Sequence, residues 1–191
     1  MTRCFGDGDP LYERYHDEEW GRPVHDERRL FEKLSLEAFQ SGLSWITILR
    51  RRETFRAAFA DFDPERVAAF GPRDVERLLA DPGIIRNRAK VDATLANARA
   101  TLALREAGES LAEVVWDHRP EPRPAPVSFA DVPATVPESA ALARLLKRRG
   151  FRFVGPTTLY ALMQACGLVN DHLASCPVRD EVAQAQANRG R

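Results

Sequence analysis

Apolar positions along this chain recur every three or four residues, the period of a helix buried on one face. Residues 9–19 (DPLYERYHDEE) read as a first helix, with Asp9 as N-cap, Pro10 at the first helical position and Trp20-Gly21 ending it. Asp26 caps a longer helix in which Leu30, Phe31, Leu34, Ala38 and Phe39 share a face, and Gly42 breaks it. Ser44 caps the next, whose stripe is Trp45, Ile48, Leu49 and Phe55 to Phe59. Asp63-Pro64 and Gly71-Pro72 start two short helices, and Asp81-Pro82-Gly83 turns the chain. A long helix is predicted from about Asn87 to Glu106, with Val91, Leu95, Ala98 and Leu102 inward, then a short one over 110–116.

From Asp117 to Pro137 the texture changes. Six prolines fall there (Pro120, Pro122, Pro124, Pro126, Pro133, Pro137), which excludes helix and predicts an extended surface excursion. Helix resumes from Ser139 to Arg149, with Leu142, Leu145 and Leu146 inward and Gly150 closing it. A hairpin and a Thr157–Gly167 helix follow. The polar tail over 179–191 is expected to fray. With no alternating strand pattern and no internal repeat, the expectation is an all-α fold. It is read as a single unit over 1–191 with its core in about 1–178.

Composition narrows the class. Hydrophobic residues are 44% and charged residues 29% of the 191, a soluble globular profile. No apolar run reaches the roughly 18 residues of a membrane span, and MTRCFGDGDP lacks a secretory layout, so a cytoplasmic setting is expected. Three Cys in a reducing compartment argue against a disulfide framework and leave metal binding open. Formal net charge is zero, which counts against a strongly basic nucleic-acid binder. Clusters at Arg50-Arg51-Arg52, Arg86/Arg88/Lys90 and Lys147-Arg148-Arg149 could still form a phosphate-facing strip, or simply solvated helix faces.

Three constellations carry chemistry. The first is Val154-Gly155-Pro156-Thr157 at the second helix of the hairpin. A DNA backbone could approach Gly155, and the N–H groups of Gly155, Thr157 and Thr158 could hold a phosphate; an ordinary packing hairpin has the same signature. The second is Cys4 and His16 near one end of the chain with His172 and Cys176 near the other. Two thiolates and two imidazoles make a closed, structural zinc site, but the spacing is not that of a standard finger. His16 as a hydrogen-bonder and Cys176 as a core thiol fit as well. Cys166, among Leu159, Leu162 and Met163, reads as core. The third is Glu37 with Tyr15 and Trp45, able to read a base edge, or else an exposed helix Glu and a core Trp.

Four blocks in order, YHDEEWG (15–21), LEAFQSGLSWITILRRRETFRAAF (36–59), GIIRNRAKVDATLANA (83–98) and KRRGFRFVGPTTLYALMQACGLVNDH (147–172), resemble the 3-methyladenine DNA glycosylase I family, the constitutive bacterial type. The resemblance runs to about Cys176. It implies the all-α helix-hairpin-helix DNA glycosylase fold with one structural zinc joining the two chain ends. Cys4, His16, His172 and Cys176 match the family's ligands, Glu37 its base-binding carboxylate, Tyr15 and Trp45 its aromatic walls, and Gly155 with its neighbours its DNA-anchoring hairpin.

The sequence departs from the family at Cys4-Phe5-Gly6-Asp7, where a Cys-x-Trp is common; Phe5 is expected to stand in for that Trp. Ala38 replaces a common Gly, and no counterpart of the superfamily's sugar-stabilising Asp is assigned, although Asp171 lies near that stretch. The implied activity is base excision of 3-methyladenine from alkylated double-stranded DNA by a monomer, without strand cleavage. The rivals are a non-catalytic damaged-DNA-binding module with a structural zinc, and a zinc hydrolase, which four protein ligands disfavour.

Overall fold

The computed structural model describes residues 3–188. Eleven α-helices and no strand occur among them: α1 (Pro10–Glu18), α2 (Glu27–Gln40), α3 (Trp45–Leu49), α4 (Arg52–Ala58), α5 (Pro64–Ala68), α6 (Pro72–Ala80), α7 (Arg88–Glu106), α8 (Leu111–Trp116), α9 (Pro137–Arg148), α10 (Pro156–Ala165) and α11 (Arg179–Ala187). The all-α expectation holds.

The starts follow local chemistry. Asp9 Oδ1 accepts from the N–H groups of Leu11 and Tyr12, Asp26 Oδ1 from Arg29, and Asn87 Oδ1 from Lys90. Each satisfies a first-turn donor that the helix cannot. The helix expected after Ser44 is two helices. Its ladder breaks at Arg51 (φ −104°, ψ 3°), whose guanidinium donates to the Pro82 carbonyl while its own carbonyl takes the Thr54 hydroxyl. On α7, Thr101 and Leu104 take the buried positions and Leu102 is half-buried.

The central helix is α2, lying against α7, α8 and α10. Its Phe31 and Phe39 join Phe55, Phe59 and Phe62 in a sealed aromatic cluster with ring centroids 4.7 to 6.3 Å apart. Lys90 departs from the basic-strip reading. It is buried, and its Nζ donates to the Phe39 and Ser41 carbonyls at 2.8 and 2.6 Å, closing the C-terminal end of α2. Burial lowers its pKa.

Residues 179–187, expected to fray, form α11 instead. Val182 is sealed in the core, and the buried Gln186 amide donates to the Gly21 and Val169 carbonyls. Two inward positions four apart in a polar stretch suffice for one helical face; residues 189–191 lie outside the described part. The Pro-rich segment is an extended excursion with one 3₁₀ turn, Phe129–Asp131. It is tied down by Arg119 Nε to the Leu168 carbonyl, Ala174 N–H to the Pro126 carbonyl, and Arg123 to Asp171. No helix of the described residues is long and apolar enough to cross a membrane.

Candidate functional site

Segments far apart in the chain meet around Cys4, His16, His172 and Cys176. His16 sits on α1, and His172 and Cys176 follow α10. Their donor atoms and Cys4 Sγ all lie within 4.8 Å of one another. Cys176 Sγ is 3.5 Å from His16 Nε2 and 3.4 Å from His172 Nδ1, and Cys4 Sγ is 3.7 Å from His172 Nδ1. A tetrahedral zinc with bonds of about 2.3 Å to sulfur and 2.0–2.1 Å to nitrogen separates S from N by about 3.6 Å, so the donor set fits that ion. The distal ring nitrogens are held as well: His16 Nδ1 lies 2.7 Å from Asp17 Oδ1, and His172 Nε2 lies 3.1 Å from the Trp20 carbonyl. Asp17 is in turn gripped by Arg3. Burial pulls His172 down to about 4, so its ring is neutral, the form that binds a metal. Burial pushes the Cys4 thiol up to about 12, a cost that a bound dication offsets by stabilising the thiolate.

Beside this cluster is a small cavity of about 120 Å³ lined by Phe5, Tyr12, Tyr15, Trp20, Glu37, Gln40, Trp45, Ala161 and Gln164. Helix α2 supplies Glu37 and Gln40, α1 supplies Tyr12 and Tyr15, and α10 closes the floor. The Tyr15 and Trp45 rings are 5.2 Å apart, and Phe5 packs against Tyr12 at 4.9 Å and edge-on against Trp20 at 5.0 Å. Glu37 is only 6% exposed. Burial, opposed by the positive charge of Lys33, pushes its carboxyl up to about 8. Burial and the neighbouring Glu37 hold the Tyr15 phenol well above its ordinary range, so it stays a donor. The Trp45 indole N–H is sealed from solvent and has no acceptor among the described residues, an unmet donor of the kind that gathers at functional sites.

Three comparisons bear on this arrangement. A methyladenine glycosylase family model matches residues 5–180. The chain is 49% identical over 180 residues to DNA-3-methyladenine glycosylase 1 of Escherichia coli (strain K12), covering 92% of this chain and 96% of that one. The chain belongs to the methyladenine glycosylase family. A crystal structure of 3-methyladenine DNA glycosylase I superposes with a TM-score of 0.89 at 52% identity, over 92% of this chain and 98% of its own. A second structure, of the Staphylococcus aureus 3-methyladenine DNA glycosylase I, concerns 3-methyladenine recognition; its TM-score is 0.87 at 36% identity, over 92% of this chain and 95% of that one.

In this glycosylase the fold unites Glu37, Tyr15, Trp45 and Phe5 in one cavity and Cys4, His16, His172 and Cys176 in one cluster. Sequence reasoning missed Tyr12, Trp20, Gln40 and Gln164 as cavity walls. The spacing of Tyr12 to Tyr15 and of Glu37 to Gln40, three residues on one helical face, was the available signal.

The hairpin lies apart from the cavity-lining set. Buried Asn97 of α7 clamps it, accepting from Arg152 N–H at 2.7 Å and donating to the Arg152 carbonyl at 3.1 Å. Gly155 precedes α10 with no side-chain cap. Its φ is −74°, and a Cβ there would meet nothing nearer than Thr158 Oγ1 at 4.0 Å. Neither backbone strain nor packing within the chain therefore requires glycine at this position.

Of the basic clusters, Arg50 pairs with Asp9, Arg52 with Glu19 and Arg149 with Glu109. Lys147 and Arg148 stay exposed at the end of α9, beside the hairpin.

Proposed function

We propose that this protein excises 3-methyladenine from alkylated double-stranded DNA. It would act as a monofunctional, monomeric, cytoplasmic glycosylase of the helix-hairpin-helix type, with one structural zinc. The observation that carries the reading is a buried carboxyl, Glu37, walled by aromatic rings within a chain of this family.

3-Methyladenine in DNA carries a positive charge, which weakens its glycosidic bond. Such a base is reachable only when turned out of the stack, and a damaged pair is the least costly to open. Inside the cavity the cation would lie against Tyr15 and Trp45, whose ring faces attract it more than a neutral base. Glu37 is largely protonated in the empty site because burial disfavours its charge. An entering cation reverses that preference, and the carboxylate accepts from the exocyclic amine. The C1′–N9 bond then breaks, and its electron pair neutralises the departing base. Water adds to the developing oxocarbenium carbon and loses a proton to solvent.

The chain has three lysines, Lys33, Lys90 and Lys147, and none lines the cavity. Among the described residues no lysine lines the cavity where a Schiff base would form, which supports excision without strand cleavage.

Gly155, Thr157 and Thr158 would anchor the DNA. The unstrained, unpacked glycine leaves room for a phosphate at uncapped N–H groups, with Lys147 and Arg148 beside it. The Cys4, His16, His172 and Cys176 set would hold zinc with every position filled by protein, so the ion clips the chain ends and takes no part in hydrolysis.

Chromatographic identification of bases released from methylated DNA tests the proposal. Release of 3-methyladenine is expected. Binding to that DNA with no base released overturns the enzymatic reading in favour of a non-catalytic binding module.

A further inference from the structure

Asp171 is 5% exposed and lies outside the cavity-lining set, yet it touches one of the cavity walls. Its Oδ2 accepts from the Gln164 amide nitrogen at 2.9 Å and from the Tyr160 hydroxyl at 2.5 Å, and its Oδ1 accepts from Arg123 at 3.0 Å. Arg123 comes from the Pro-rich excursion, and its guanidinium also reaches the Tyr160 hydroxyl. Tyr160 and Gln164 are four apart on α10 and share a face, so one carboxylate gathers both.

The orientation of the Gln164 amide follows from this network. A carboxylate paired with arginine offers only acceptors, so the nitrogen end of the amide must face it. The carbonyl end is thereby turned away. Among the described residues it takes no hydrogen bond, and it is not one of the sealed, partnerless atoms. Gln164 lines the same cavity as Glu37.

We propose that Asp171, braced by Arg123 and Tyr160, is a positioning residue that fixes the Gln164 carbonyl oxygen toward the bound base, and that this acceptor, beside Glu37, selects an amino edge over a keto edge. The inference rests on the glycosylase reading above. Adenine-type bases present an amino group where guanine-type bases present a carbonyl oxygen. Two acceptors, the Gln164 carbonyl and the Glu37 carboxylate, pair with the first and repel the second. The network also gives the Pro-rich excursion a task, since it delivers the arginine that holds Asp171 in place.

The test is the ratio of kcat/KM for 3-methyladenine over 3-methylguanine, each in duplex DNA, measured alongside thermal stability. Asp171→Asn offers the Gln164 amide a donor and lets it turn over, and the ratio falls by about tenfold or more. Gln164→Met keeps the volume and leaves Asp171 with Arg123 and Tyr160, so it carries the test even if Asp171→Asn does not fold; the same fall is expected. Tyr160→Phe removes one brace but leaves Asp171 with Arg123 and Gln164, so a smaller fall in the ratio is expected than in either of those variants. An unchanged ratio in either of the first two variants, or an equal loss on both substrates, overturns the proposal. A wild-type protein that releases neither base overturns the glycosylase reading instead.

Discussion

Cys176 Sγ lies 3.5 Å from His16 Nε2, although 160 positions separate the two residues in the chain. With Cys4 and His172 they form a cluster whose spacings match a tetrahedral ion, so a metal bound there would clip the Cys4–His16 and His172–Cys176 segments together. Elemental analysis of the native protein is expected to find one zinc per chain. Stripping it with a chelator should lower the melting temperature by roughly 10 °C or more, given the several kcal/mol that a structural zinc supplies. A metal-free native protein of unchanged melting temperature would remove the clip.

Glu37→Gln should lower release of 3-methyladenine by about tenfold or more while leaving DNA binding nearly intact, because the role proposed for the carboxylate is on the charged base and not on the backbone. The same variant carries a stability signature with a fixed sign. The folded carboxyl sits at about 8 against an ordinary value of 4.5, so between those values the folded chain holds a proton that the unfolded chain has lost. Wild-type stability therefore falls as pH rises through that window. The glutamine variant lacks this slope and should be the more stable protein at pH 8 and above, by on the order of 5 kcal/mol. Denaturant titrations at pH 5 and pH 9 check it; parallel stabilities for the two proteins would contradict a buried, charge-averse Glu37.

Gly155→Leu should fold normally, since the backbone at that position suits any residue and its Cβ meets open space. Its stability is expected within about 0.5 kcal/mol of wild type. Its affinity for duplex DNA should fall by about tenfold, as a side chain pushes the phosphate off the helix start. Fluorescence anisotropy with a duplex oligonucleotide reads this; undiminished affinity would make the hairpin a packing element only.

Lys90→Met should behave in the opposite way. The Phe39 and Ser41 carbonyls lose their donor, at a cost of about 1–3 kcal/mol in urea unfolding. The salt dependence of DNA binding should not change, because this ammonium contacts no phosphate. A reduced salt slope would return Lys90 to the basic strip.

Helix starts were legible in the sequence because they are local. Asp9, Asp26 and Asn87 each cap with their own side chain within three residues. The tail beyond Arg179 was not legible, because Val182 and Gln186 find partners only in distant chain at Gly21 and Val169. Lys90 was misgrouped for the same reason: nothing in its neighbours tells that it would close the end of α2.

What the sequence by itself determined is most of the helices, the residue types able to bind a metal or a cationic base, and the family to which their order belongs. These depend on spacing within a few turns and on recurring motifs. What only the tertiary structure decided is which of those side chains share one volume: the four donors within 4.8 Å, the burial that raises the Glu37 carboxyl, and the Asp171 network that turns Gln164. The physical reason is that desolvation and hydrogen-bond direction arise from neighbours remote in sequence, and helical periodicity carries no record of them.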